Sequence, residues 1–173
     1  MSRPLVLAVS LLLPAALAAQ QPTPGTPAPP PPQPAYAADS AGIHQVVARL
    51  FDGMRTRDTA TMRTLFHEPV AMRSVSYRQG KAMVEADGLE DWFTGVAGAP
   101  AGVLLDERIG APEIRVDGNL AAVWVYYEFY VGDKFSHCGV DSFQLGRTEA
   151  GWKILLLADS RRRTGCAQSL GKS

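Results

Sequence analysis

The sequence predicts an α+β domain in which helices come first and a long, curved antiparallel sheet follows. Two observations carry this. Apolar residues recur at helical spacing in three segments between Ile43 and Val96, whereas from Val103 onward they fall in strand-length runs broken by turn residues. The richest of these regions, residues 119–160, holds three such runs. They are divided by Gly132-Asp133 and by Thr148-Glu149-Ala150-Gly151, both with the chemistry of turns that join antiparallel neighbours.

Ahead of the domain, Arg3, the apolar run LVLAVSLLLPAALA and the small residues Ala16 and Ala18 read as a secretory leader over residues 1–19. The run is about 14 residues, shorter than the roughly 20 needed to span a bilayer. The expectation is therefore export to the periplasm or the extracellular space, with no membrane attachment after cleavage. Residues 20–38 hold eight of the thirteen prolines and no charge, the composition of an extended, disordered linker. The folded domain is expected over residues 39–166, with a disordered tail over 167–173. Basic and acidic residues balance at 17 each, so no bulk field recruits nucleic acid.

The first helix is marked by Ile43, Val46, Val47, Leu50, Phe51 and Met54 on one stripe, with Asp39 or Ser40 as its cap and His44 on the solvent side. Asp58 caps a second, with Met62, Leu65 and Phe66 as its buried face and Pro69 as its end. His67 and Glu68 stand at that exit, facing a cavity or simply suiting the helix dipole. Residues 70–77 read as a strand and residues 78–86 as a loop or lid. Asp87 with Glu90 forms a capping box that opens a third helix carrying Leu89, Trp92, Phe93 and Val96. Gly110-Ala111-Pro112 bends the following strand region, and Asp117-Gly118 is a two-residue hairpin turn.

Simple registers through the two tight turns set Glu128 against His137, Tyr126 against Gly139 and Trp124 against Asp141. They also set Phe143 against Leu156 and Cys138 against Arg161. Alternation then groups Trp124, Tyr126, Glu128, His137, Asp141 and Phe143 on one face. With Trp92 from the third helix, these are the expected ligand-pocket residues: an apolar wall with a few convergent polar groups. The bland alternative is a satisfied Glu128–His137 cross-strand pair without function. Both faces of the sheet are rich in apolar residues, so both are expected to be covered.

The segments VARLFDGMRTRDTATMRTLFH, VDGNLAAVWVYYEFYVGDKFSHCGVDSFQL and GWKILLLADSRRR resemble the NTF2-like superfamily, in particular its SnoaL-like and lumazine-binding-like bacterial branch. The resemblance implies a cone of curved sheet closed by three N-terminal helices, a pocket inside it, and a homodimer formed sheet to sheet. It also implies that an acid–base enzyme of this superfamily, an isomerase or dehydratase, would place His137 and Asp141 in the catalytic positions. The expected function is thus binding of a small organic molecule. The alternatives are that enzyme and a structural or assembly module with a filled core.

Cys138 and Cys166, in an exported chain, are expected to pair; the alternative is a buried free Cys138 and an exposed Cys166. The histidines lie far apart, without HxH, HExxH or CxxC spacing, so no metal and no cofactor is expected. Arg161, Arg162 and Arg163 read as a solvated strand end, or as the rim of a pocket.

Overall fold

The computed structural model describes residues 33–171, with side chains from Ala37 onward. The expected leader, and the linker up to residue 32, lie outside the described residues. Helix α1 spans Gln33–Thr56. It therefore begins inside the stretch read as linker, and Asp39 is not its cap but the ion-pair partner of Arg147. Its stripe from Ile43 to Met54 is buried, as the three-and-four spacing dictates.

Asp58 does cap α2, Thr59–Arg63, accepting from the Thr61 N–H at 2.9 Å. The helix stops well before Pro69, because Phe66 already belongs to β1, Phe66–Arg78. Pro69 sits within that strand, at a register irregularity between Phe66 and Ala71 where a missing N–H breaks no ladder bond. His67 and Glu68 are exposed there. The expected loop or lid is a strand, β2, Lys81–Ala86, hairpinned to β1. Gln79 and Gly80, with φ of 52° and 76°, supply the two left-handed residues that a type I′ turn needs.

Helix α3, Leu89–Ala97, starts from Gly88 without a side-chain cap. The expected capping box does not form, since both its members find other partners: Asp87 bonds to Ser74 and Glu90 to Arg63. Strands β3 (Leu105–Ile109) and β4 (Glu113–Asp117) flank the expected bend and pair with opposite ends of β5, Leu120–Val131. Strands β6 (Lys134–Thr148) and β7 (Gly151–Arg161) complete the meander.

The strand order is β2-β1-β7-β6-β5-β3 in one curved sheet. It is mixed rather than wholly antiparallel, because β1 returns to lie parallel to β7. The helices cover one face. There Ile43, Leu50 and Phe51 of α1 pack with Val123, Val125, Phe143, Leu145 and Ile154 of the sheet. The rings of Phe51 and Phe143 meet edge to face at 6.3 Å. Burying each such side chain stabilises the fold by roughly 1.5–3 kcal/mol.

Two bulges overturn the simple registers. Phe129 pairs with His137 but Tyr130 with Phe135, so Ser136 is an extra residue in β6. Leu145 pairs with Ile154 but Gln144 with Leu156, so Leu155 is extra in β7. Each extra residue moves everything beyond it by one position, and side-chain direction inverts with it. Glu128 consequently lies opposite Cys138, Tyr126 opposite Val140, Trp124 opposite Ser142 and Phe143 opposite Leu157. Cys138 bridges Arg162.

Candidate functional site

Between the helices and the sheet lies a cavity of about 530 Å³. Leu50, Phe51 and Met54 of α1 and Trp92 and Val96 of α3 form its apolar wall; Tyr127, Phe129 and Leu157 continue that wall on the sheet. Exposed residues at its mouth include Arg73, Ala86, Gly88 and Asp91. Its floor is polar: Glu107 from β3, His137 and Asp141 from β6, and Asp159 and Arg161 from β7.

The expected pocket set divides between the two faces. Trp92, His137 and Asp141 line the cavity. Phe143 points the same way but is wholly buried behind it, against Phe51. Trp124, Tyr126 and Glu128 stand on the outer face of the sheet, turned away by the bulge at Ser136. Trp124 is 57% exposed. Glu128 is fully buried, but under the C-terminal segment. Its carboxylate accepts from the Tyr126 and Tyr130 hydroxyls at 3.2 and 3.3 Å and from the Ser169 and Leu170 N–H groups at 2.9 and 3.3 Å.

The same bulge brings Tyr127 into the cavity, a residue assigned to the other face by simple alternation. Its hydroxyl donates to Asp159 (3.1 Å) or to the Ser160 carbonyl (3.0 Å). Gly139, between His137 and Asp141 on the same face of β6, makes this possible. A Cβ there would stand 1.6 Å from the Ser160 carbonyl oxygen and 2.8 Å from the Tyr127 ring. The His-x-Gly-x-Asp spacing of β6 therefore has a steric cause: the glycine leaves room for a phenol to cross to the next strand.

Asp159 is heavily engaged. Arg161 Nε donates to it at 2.6 Å, and Ser74 Oγ lies 2.6 Å from it and 2.5 Å from Asp87. Arg161 is also 3.6 Å from Asp87. The other two carboxyls differ. Asp141 is 3% exposed, and no N–H or hydroxyl among the described residues reaches its Oδ2. The group facing it is the Glu107 carboxyl. Burial first, then the Glu107 charge, pushes the Asp141 carboxyl well above the ordinary carboxylate range. Burial likewise pushes Glu107 up, to about 7, and the two behave as one pair sharing a proton. Burial, with Arg161 nearby, pushes His137 down, which favours the neutral imidazole. Its ring sits edge-on to Tyr127 at 5.6 Å, and Nδ1 is 3.0 Å from Ser136 Oγ.

Glu107 is absent from the sequence-derived set, although a signal exists. Leu105, Glu107 and Ile109 alternate onto the helix-covered face, so a carboxyl occupies a position where the pattern calls for an apolar residue. Among the described residues no group of three or more His, Cys, Asp or Glu is arranged to hold a metal. Cys138 and Cys166 form a disulfide.

Residues 38–156 match the family described as "Putative lumazine-binding". The chain belongs to that family. Solved structures, two of the three below described as NTF2-like, share the fold of this lumazine-binding-like protein. An NTF2-like protein with a cystatin-like fold from Novosphingobium aromaticivorans is 16% identical, with a TM-score of 0.60 over 78% of this chain and 88% of that one. A protein of unknown function from Mycobacterium tuberculosis is 17% identical, with a TM-score of 0.62 over 78% of each chain. A "putative dehydratase from the NTF2-like family" of Streptomyces avermitilis is 15% identical, with a TM-score of 0.57 over 75% and 99%. At these identities the likeness is one of fold. No curated protein matches the chain.

Proposed function

We propose that this lumazine-binding-like protein is exported and binds a small organic molecule in the cavity between helices and sheet. The observation that carries this reading is the cavity itself. About 530 Å³ of space with an apolar wall and a polar floor is the form of a small-molecule site, and a structural module would have a filled core. Export is supported by the leader-like N-terminus, and a disulfide is compatible with an oxidising compartment. A homodimer through the outer face of the sheet is part of the same proposal; the exposed Trp124 and Leu120 there support it.

Native mass spectrometry of protein produced in a bacterial periplasm tests these points together. The expected result is removal of residues 1–19, one intramolecular disulfide, a dimeric mass and a retained ligand of a few hundred daltons. A protein that arrives empty, and that binds nothing from a library of small aromatic compounds, would sink the binding reading.

A second reading is favoured by one specific arrangement: the Glu107 and Asp141 carboxyls, both pushed up by burial, line the same cavity as His137, which burial pushes towards the neutral form. A carboxyl that titrates near neutrality suits general acid–base work. An isomerase or dehydratase would use His137 and Asp141 as acid and base, with Glu107 setting the proton affinity of Asp141. A His137→Ala variant that turns over a candidate substrate at the unaltered rate would remove this reading.

A further inference from the structure

The charges inside the cavity are not balanced, and the imbalance has a location. Arg161 is committed to Asp159 and Asp87. Arg55 is committed to Asp52, to Asp106 and to the Glu107 carbonyl, and Arg73 Nη1 donates to the Met72 carbonyl. Neither Glu107 nor Asp141 is in an ion pair among the described residues. Asp141 Oδ2 also lacks any N–H or hydroxyl donor. A nearly fully buried carboxyl with no N–H donor at its outer oxygen can hold its charge on a cavity floor only if something carrying N–H and positive charge enters; otherwise it keeps a proton. Above it the wall is apolar and aromatic, with Trp92, Phe129 and Leu157 in reach of a hydrophobic body.

We propose that the cavity selects an organic cation, with an ammonium or amidinium head between Glu107 and Asp141 and an aromatic or aliphatic body against Trp92, Phe129 and Leu157. This rests on the binding reading above and names the chemical class of its ligand. A metal ion is the weaker occupant, because the described residues offer no ligating cluster. An anion is disfavoured because the guanidinium nearest the floor already serves two carboxylates.

The empty pair is satisfied by a shared proton, and the ligand's head replaces that proton. Binding should therefore release protons and strengthen as pH rises through neutrality. Other groups face the pair from each packed element: Asp159 and Arg161 on β7, Tyr127 on β5, His137 on β6 and Arg55 on α1. Asp87 and Asp91 at the mouth add negative charge. His137 stays neutral over most of this range and does not reverse the sign.

The test uses three matched probes, 1-naphthylmethylamine, 1-naphthylmethanol and 1-naphthoate, titrated calorimetrically into the full disulfide-bonded protein. Near pH 8 the amine is expected to bind at least about tenfold more tightly than the alcohol, and the acid more weakly than either. The amine's advantage should shrink near pH 5.5. Titrations in buffers of different ionisation enthalpy should show proton release. Glu107→Gln and Asp141→Asn, each checked for folding by thermal melt, should remove most of the amine's advantage. If amine and alcohol bind equally, or the acid binds best, the cation proposal is overturned while the binding reading stands. If none of the three binds, both fall.

Discussion

Glu107 shows how a single position can couple the fold to pH. Its carboxyl titrates near 7 in the folded protein, against about 4.5 when exposed, so the folded state binds more protons between those values. Stability from this group is then present below about pH 4.5 and is lost as pH rises through 7. His137 works the other way, since its depressed affinity costs stability as pH falls below 6.5. Comparison with Glu107→Gln cancels the histidine, which is common to both proteins, and reports the removal of Glu107 together with the relief of Asp141 that faces it. By urea titration the variant is expected to be more stable than wild type near pH 8, by on the order of 2–3 kcal/mol. The gap should close towards pH 4.5. A gap that stays constant with pH would mean that Glu107 is ionised throughout.

At the scale of elements, the C-terminal segment behaves as a strap over the outer face of the sheet. The Cys138–Cys166 bond, closing 28 residues, anchors it. Beyond the anchor the Ala167 N–H donates to the Tyr126 hydroxyl at 3.0 Å, and Ser169 and Leu170 solvate Glu128. Arg108 lies 3.7 Å over the Tyr130 ring beside it. Closing a loop of that length limits the unfolded chain and contributes about 3–4 kcal/mol. Reduction, or Cys138→Ser, should therefore lower stability by up to that amount and free the strap. Hydrogen exchange at the Ser169 and Leu170 amides should accelerate strongly, while amides of β5 and β6 around Val123 and Leu145 stay protected. If the two strap amides keep their protection after reduction, the hydrogen bonds to Glu128 hold the segment without the disulfide.

For the molecule as a whole, the sheet has two differently covered faces. Helices and cavity occupy one; the strap covers only the Tyr126–Glu128 part of the other, leaving Trp124 and Leu120 in solvent. The exposed Trp124 and, further along the same face of β5, the exposed Leu120 are where the second copy of the proposed dimer would dock. Trp124→Glu is expected to convert a dimer into a monomer by light scattering, with ligand binding retained because the indole is not in the cavity. Wild-type protein that is monomeric at high micromolar concentration would remove the dimer from the proposal.

Much of this architecture was legible in the chain. The buried stripe of α1, the Asp58 cap, the bend at Gly110-Ala111-Pro112 and the two tight turns of the meander are local features, set by side-chain periodicity and turn chemistry within a few residues. The likeness to NTF2-like folds was legible in three longer segments, around α1 and α2, the β5–β6 hairpin and β7. The composition of the cavity was not. It depends on Ser136 and Leu155 each bulging out of register, and nothing in a strand's own pattern reports an extra residue opposite its partner. Those two insertions decide that Tyr127 rather than Tyr126 meets Asp159, and that Glu107 meets Asp141. They also leave Glu128 to be solvated by a tail that lies far away in sequence. Periodicity therefore determined which elements form, whereas pairing between distant strands decided which carboxyls share a floor.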